Sequence, residues 1–407
     1  MSLWHIDRLG HRGDGIAISE GRRALAALTL PGEEIEGDVQ DGRIVSPRIL
    51  TPSPDRVKPA CRHYRSCGGC LLMHASEEFT SHWKTGVVEA ALTAQGLEAP
   101  VTLTHVSPPR SRRRAVLSGR RTKKGALLGF HARASGIIVD LQECQVLHPA
   151  IMQALPILRR IVTAGASRSA ELGMTVIHGP EGLDVAVAGG KPLDSALFHH
   201  LAQLGEAGDL ARLDWDGQAI TRRPPALPIG RSRLIPPPGA FLQATAEAEA
   251  ALLAAVCRMT AGARKIVDLF AGCGTFTLPL AEAAQVHAVE GLAAPLGALD
   301  AAWRSAKGLQ RVTTEIRDLA RRPLQAGELR GFDAIVIDPP RNGAEAQARE
   351  IANSGVSRVA FIACDPVNFA RDAKILTSGG YILSKVEVID QFRWSPHVET
   401  VAEFQLR

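Results

Sequence analysis

The last two-fifths of the chain predicts an α/β fold with a doubly wound parallel sheet, and three observations predict it. Apolar strand-like runs alternate with helical stretches, a Gly-rich turn follows the first of those runs, and acidic residues sit where the runs end. In order, the spacing gives a helix over Ala246–Met259 and strands over Lys265–Phe270, Val286–Glu290, Asp333–Ile337 and Arg358–Cys364, with helices between them. Repeated βα units of this kind close into a parallel sheet. Ligands of such sheets lie beyond the carboxyl ends of the strands. The chemistry is therefore expected in the turns after Phe270, Glu290, Ile337 and Cys364.

Upstream, the pattern differs. Gly13–Ala17, Ala24–Leu30 and Ile35–Val39 read as short strands of a small β-barrel. Thr51–Pro59 and Arg223–Pro238 are proline-rich and read as linkers. Between them a helix is expected from Glu77 to Gln95, then antiparallel strands at Arg114–Ser118, Ala126–His131 and Gly136–Leu141, then a helix over Ile151–Ala164. The expected domains are thus 1–55, a β-barrel; 56–240, a mixed α+β unit; and 241–407, the α/β unit. A chain of 407 residues is long enough for such a division.

Composition excludes some classes. No run of 18 apolar residues occurs, so a membrane span is not expected. The opening segment carries Asp and Gly where a signal peptide needs an apolar run, which predicts a cytoplasmic protein. Net charge is only +5, but Arg110, Arg112, Arg113, Arg114, Arg120, Arg121, Lys123 and Lys124 fall within fifteen residues. Such a block suits a phosphate-bearing partner, or simply a solvated basic face.

The Gly turn reads Val267-Asp-Leu-Phe-Ala-Gly-Cys-Gly-Thr-Phe-Thr, with Glu290 ending the next strand 18 residues after Gly272. Gly272 and Gly274 allow close backbone approach to a ligand, and a carboxylate at position 290 can accept hydrogen bonds from ribose hydroxyls. Thr277 stands where a dinucleotide fingerprint needs its third glycine. That favours S-adenosylmethionine (SAM), which has no pyrophosphate, over NAD. Asp338-Pro-Pro-Arg forms a rigid strand-end turn, aiming Asp338 at the same crevice. Cys364 ends a strand next to a turn; a strand cysteine is usually packing, but at this end it is a candidate nucleophile. Glu399, after a loop in Ser395-Pro-His-Val-Glu-Thr-Val, is either solvated or a pocket base.

Together these residues resemble the bacterial RNA uracil-C5 methyltransferases. Phe241-Leu-Gln243, Asp268–Gly274, Asp338–Arg341, Ala363-Cys364-Asp365-Pro366 and His397-Val398-Glu399 stand in that family's order and spacing, over nearly the whole chain. The resemblance implies a class I SAM-dependent methyltransferase domain, with Cys364 as nucleophile and Glu399 as base. It implies SAM contacts from Gln243, Phe270, Thr275, Glu290 and Asp338. Two departures stand out. Thr275 replaces an asparagine, and Asp365 replaces another, which should raise the Cys364 pKa unless a cation compensates.

Cys61, Cys67 and Cys70 cluster, with Cys144 distant. Four thiolates suit zinc or a [4Fe–4S] cluster, and spacing does not choose between them. The pattern, with Glu143-Cys144-Gln-Val-Leu-His-Pro, is similar to the iron–sulfur branch of the same family, which implies a [4Fe–4S] cluster. That branch also implies an N-terminal TRAM domain, an OB-like RNA-binding barrel, and 23S ribosomal RNA as partner of a monomeric enzyme. The same chemistry on tRNA or another rRNA uridine is the alternative. Cytosine-C5 enzymes want a cysteine in the Pro-Pro turn, and adenine-N6 enzymes want an aromatic residue where Arg341 stands. A non-enzymatic iron–sulfur RNA-binding protein would not need Cys364 and Glu399 together.

Overall fold

The structure is a computed structural model and describes residues 2–44 and 46–407. Six strands come first: β1 (Ser2–Leu9), β2 (Gly15–Ser19), β3 (Arg22–Ala26), β4 (Glu34–Gly37), β5 (Arg43–Ile44) and β6 (Arg48–Thr51). They form one sheet in the order β5-β3-β2-β1-β4-β6. Trp4, Ile6, Ala17, Ala24, Ala26, Ile35 and Ile44 meet in a single cluster. The sheet wraps around that cluster: a Cβ added at Gly37 on β4 would lie 2.5 Å from Ile44 on β5, four strands away in the sheet order. Only a glycine permits this approach. The sequence reading missed β1, because a bulge between Ile6 and Arg8 breaks its alternation.

Helix α1 (Glu77–Ala94) and strand β7 (Val101–Val106) follow. Neither belongs with the residues after them. β7 pairs in parallel with a strand near the far end of the chain, Val101 opposite Val386, and so completes the C-terminal sheet. The boundary expected at 241 therefore does not describe that unit.

The central sheet has seven strands in the order β10-β9-β8-β11-β12-β13-β14. These are β8 (Arg114–Thr122), β9 (Gly125–His131), β10 (Ile138–Asp140), β11 (Leu172–Gly179), β12 (Gly182–Ala188), β13 (Arg212–Trp215) and β14 (Gln218–Thr221). Helices α2 (Pro149–Gln153), α3 (Leu155–Gly165) and α4 (Ser195–Ala207) lie among them. The helix expected over Ile151–Ala164 is thus two helices. Pro156 lacks the N–H that would continue the first, and instead opens the second. The supposed linker Arg223–Pro238 is also ordered. Its hairpin, β15 (Leu227–Ile229) and β16 (Ser232–Leu234), packs Ile229 and Leu234 against Cys273, Leu278 and Ala302.

The remaining elements are α5 (Ala246–Met259), β17 (Lys265–Leu269), α6 (Thr277–Leu280), β18 (Gln285–Glu290), α7 (Ala293–Ser305), β19 (Val312–Ile316), α8 (Ala326–Leu329), β20 (Ala334–Ile337), α9 (Glu345–Ala352), β21 (Arg358–Ala363), α10 (Pro366–Ser378), β22 (Tyr381–Asp390) and β23 (Thr400–Leu406). The sheet order is β19-β18-β17-β20-β21-β23-β22-β7. Strands β17 to β21 are parallel, as expected. The sheet as a whole is not: β23 runs antiparallel to both β21 and β22. Alternate residues feed two cores. Val267, Ile335, Val359 and Phe361 face the side covered by α1, α9 and α10; Ile266, Val336, Ala360 and Ile362 face α5. Among the described residues no helix is long and apolar enough to cross a membrane.

Candidate active site

The Gly turn after β17 is held in a conformation that few sequences tolerate. Phe270 has φ +61°, Gly272 +55° and Gly274 +90°. A side chain at Gly274 would strike Leu299 at 2.8 Å. The Glu290 carboxylate sits against this turn, accepting from the Gly272 N–H at 3.0 Å and the Leu292 N–H at 3.0 Å. Each oxygen keeps a further lone pair for a ligand hydroxyl. Thr275 lies half-buried in the same turn. Below it, Asp268 is fully buried and accepts from the Thr277 hydroxyl at 2.5 Å; among the described residues its other oxygen has no hydrogen-bond partner. Burial raises this carboxyl to about 7.

The second group lies at the ends of β20, β21 and β22. Asp338, Gln243, Gln391 and Glu399 form a connected row. The Gln243 Nε2 faces Asp338 Oδ2 at 3.5 Å. The Gln391 Nε2 donates to Gln243 Oε1 and to Glu399 Oε2, both at 2.7 Å, while Gln391 Oε1 accepts from the Ala244 N–H at 2.7 Å. Gln243, Gln391 and Glu399 are all buried. Burial, and then the negative charge of Asp338, holds the Glu399 carboxyl well above the usual carboxylate range; Arg341 and Gln391 pull the other way. Asp338 is raised too, by burial and by Asp268, which links this row to the Gly turn.

Cys364 stands beside the row. Burial first, and then Glu399 and Asp338, push its thiol up to about 12, while Arg341 lowers it. Asp365 is not among the main causes of that rise. The Asp365 carboxylate instead caps α10, accepting from the Val367 and Asn368 N–H groups at 3.1 and 2.9 Å. The expected conflict between Asp365 and Cys364 is therefore corrected. The side chain is turned into the positive end of a helix, and the raised thiol has other causes.

Cys364 opens into a cavity of about 830 Å³. Its walls include Arg341, His397, Arg112 and, from the N-terminal sheet, the loop residues His11 and Arg12. Cys61, Cys67, Cys70 and Cys144 line it as well. Burial raises all four thiols. Backbone N–H groups of Gly69, Val146 and Leu147 point at the sulfurs of Cys67 and Cys144, at 3.4 to 3.5 Å. As the side chains stand, no three His, Cys, Asp or Glu among the described residues form a metal-binding group.

The basic block divides. Arg113 pairs with Glu249. Arg114 donates to the carbonyls of Ala240 and Gly239, at 2.9 and 3.4 Å. Arg112 is turned toward Cys70 and Cys144. Arg113 and Arg114 build the junction that carries Gln243, while Arg112 lines the cavity, so the block is not one phosphate-binding face. Lys123 and Lys124 are exposed at the β8–β9 turn.

The sequence named Cys364, Glu399, Gln243 and Asp338, and they converge. Phe270, Thr275 and Glu290 gather at the Gly turn. Gln391 was missed, since a lone glutamine before an aromatic residue carries no signal until β22 is seen to end beside Gln243.

Comparison with known proteins follows the same lines. Residues 236–405 match the tRNA (Uracil-5-)-methyltransferase family. The chain is 43% identical over 410 residues to an uncharacterized RNA methyltransferase of Rhizobium meliloti, covering 98% of each chain. It is 34% identical over 436 residues to the 23S rRNA (uracil(1939)-C(5))-methyltransferase of Halomonas elongata, covering 97% of this chain and 88% of that one. In fold it is similar to the tRNA (uracil-54, C5)-methyltransferase of Pyrococcus abyssi, solved with S-adenosyl-L-homocysteine, with a TM-score of 0.77 at 21% identity over 98% of this chain and 99% of that one.

Proposed function

The chain belongs to the RNA (uracil-5-)-methyltransferase family, and on that premise we propose that it methylates uridine C5 in 23S ribosomal RNA, with Cys364 as nucleophile and Glu399 as base. The single observation that carries the catalytic assignment is the buried row Asp338–Gln243–Gln391–Glu399 beside a thiol that opens into a large cavity. Uracil C5 is a poor nucleophile. The Cys364 thiolate adds to C6, forming the sulfur–C6 bond and breaking the C5–C6 double bond, so that electron density moves to C5. SAM, when bound, supplies the methyl group that C5 then takes. Glu399 removes the C5 proton, the C5–C6 double bond re-forms, and the thiolate leaves.

The raised Glu399 carboxyl fits a base. The raised Cys364 thiol is suited to wait for substrate: Arg341 is the cation nearest in effect, and displacement of water by the base strengthens its pull. Gln243, Phe270, Thr275, Glu290 and Asp338 would hold SAM, with Glu290 toward the ribose. A target uridine must leave its stack to reach Cys364, at a cost of a few kcal/mol. The cavity is large enough to receive it. The wrapped N-terminal sheet is a TRAM-like RNA-binding unit in this reading, and its loop residues His11 and Arg12 reach the cavity wall. The curated relative named for 23S rRNA favours that RNA over tRNA.

Cys61, Cys67, Cys70 and Cys144 would hold a [4Fe–4S] cluster. The donor set supports this. Four thiols line the same cavity, N–H groups point at two of the sulfurs as they do toward thiolate ligands, and Arg112 supplies a compensating charge. The cluster would tie the segment before α1 to the central sheet. Protein purified without air should then contain about four irons per chain; a colourless protein with zinc instead rejects the cluster.

The activity is tested by mapping 5-methyluridine by mass spectrometry after incubation with SAM and either 23S rRNA or tRNA. Cys364→Ala should lose activity by several orders of magnitude while still binding RNA. Glu399→Gln should accumulate a covalent RNA–protein complex, because the C5 proton stays in place. Product from the Cys364→Ala enzyme at the normal rate sinks the assignment; methylation of tRNA alone sinks the choice of RNA.

A further inference from the structure

Gln391 directly follows β22 and lies between the two sides of the proposed reaction. The orientation of its amide is fixed by its partners. Oε1 meets the Ala244 N–H, and Nε2 meets two acceptors, Gln243 Oε1 and Glu399 Oε2, all at 2.7 Å. Turned over, it would set an NH₂ group against the Ala244 N–H and an oxygen against two oxygens. Both hydrogens of Nε2 are thus committed. This in turn fixes Gln243, whose oxygen is taken by Gln391, leaving its own NH₂ toward Asp338. The residue itself is held from below. Its neighbour Asp390 is paired with the buried Lys84 at 2.5 Å, and Lys84 also donates to the Phe392 carbonyl at 3.2 Å.

We propose that Gln391 is a positioning residue for proton removal: its amide clamps the Glu399 carboxylate beside Cys364 and locks the Gln243 amide into the same arrangement. The inference rests on the reading of Glu399 as base. Its physical content is a charge-assisted hydrogen bond that favours the ionised carboxylate and fixes its direction. The groups that face Glu399 are Asp338 and Arg341 from the β20 end, Cys364 from the β21 end and Gln391 from the β22 end. Without Gln391, burial and Asp338 act on Glu399 against Arg341 alone. Glu399 then ionises at higher pH and with its direction less well set.

Gln391→Met keeps the volume and removes the donor. With uridine RNA its kcat should fall about tenfold or more, as loss of one charge-assisted hydrogen bond requires. The acid limb of the kcat–pH profile should move to higher pH. A covalent RNA–protein complex should accumulate on denaturing gels, since the steps before proton removal continue. Gln391→Glu keeps the acceptor for Ala244 but sets a carboxylate against Glu399, and should show the same three changes, larger. If either variant loses turnover with the acid limb unmoved and no complex accumulating, Gln391 is only structural and the proposal is overturned. Unchanged turnover overturns it equally. RNA containing 5-fluorouridine separates the two levels of inference, because the fluorine cannot leave as a proton does. Wild-type enzyme that forms no covalent complex with it overturns the underlying reading of Cys364. Wild-type enzyme that does, alongside a Gln391→Met enzyme indistinguishable from it on uridine RNA, overturns only the role of Gln391.

Discussion

At residue scale, the positions proposed to carry chemistry were legible because their backbone surroundings are unusual in sequence. Cys364 and Asp338 end strands next to prolines, and Gly272 and Gly274 bracket a tight turn. What the sequence could not convey was which charges act on which group. Asp365 adjoins Cys364 along the chain, yet its carboxylate is aimed at the α10 N-terminus. The charges that raise Cys364 most come from Glu399 and Asp338, distant in sequence. Chain neighbours at a strand end point in opposite directions, and that decides which electrostatic contacts exist. The same geometry accounts for the arginine block. Arg113 and Arg114 are adjacent in sequence, but each is satisfied by the segment carrying Gln243 rather than by solvent. A run of basic residues reports a phosphate surface only where it faces outward, as Lys123 and Lys124 do.

At element scale, helices were read well where they carry caps, and badly where a proline falls inside the apolar pattern. α5 matches its expected bounds, with Thr245 accepting from the Ala248 N–H at 3.1 Å. The α2–α3 break at Pro156 does not, because apolar spacing alone ran through it. One contact between elements had no signal at all. Lys84, on the inner face of α1, is fully buried and reaches Asp390 at the end of β22, 306 residues away. Burial lowers the pKa of Lys84 and the Asp390 charge raises it again, so the pair is retained only as a pair. Lys84→Met should therefore cost about 3–5 kcal/mol, because Asp390 stays buried without its cation. Lys84→Met combined with Asp390→Asn should recover much of that loss, since the charge requiring a partner is gone. Urea unfolding checks both. A single variant that loses less than the double would show that the pair contributes packing and not charge. Activity of the double variant should stay below wild type, because Lys84 also donates to the Phe392 carbonyl and so helps set the loop that leads to Glu399, a bond that methionine cannot make.

At the scale of the whole molecule, the sheet that holds the site is built from both ends of the chain. The sequence revealed the βα alternation from Lys265 onward, and it also revealed Glu399 just before the last strand. It gave no reason to send Val101–Val106 to the far edge, because parallel pairing between strands so distant leaves no local periodicity. The consequence is physical. A fragment of residues 241–407 lacks β7, which covers the edge of β22, and lacks α1, which buries Val88 and Leu92 in the core shared with Phe361 and Phe404. Each such side chain contributes about 1.5–3 kcal/mol on burial, and a whole domain is stable by only about 5–15 kcal/mol. The fragment would also leave Asp390 without Lys84, and a ten-residue strand with an unpaired edge. It should therefore aggregate or remain unfolded. The same fragment co-expressed with residues 77–106 should recover soluble, helical material, as judged by gel filtration and far-ultraviolet circular dichroism. A soluble, cooperatively folding 241–407 fragment on its own would mean that α1 and β7 are accessories to the methyltransferase sheet and not part of its core.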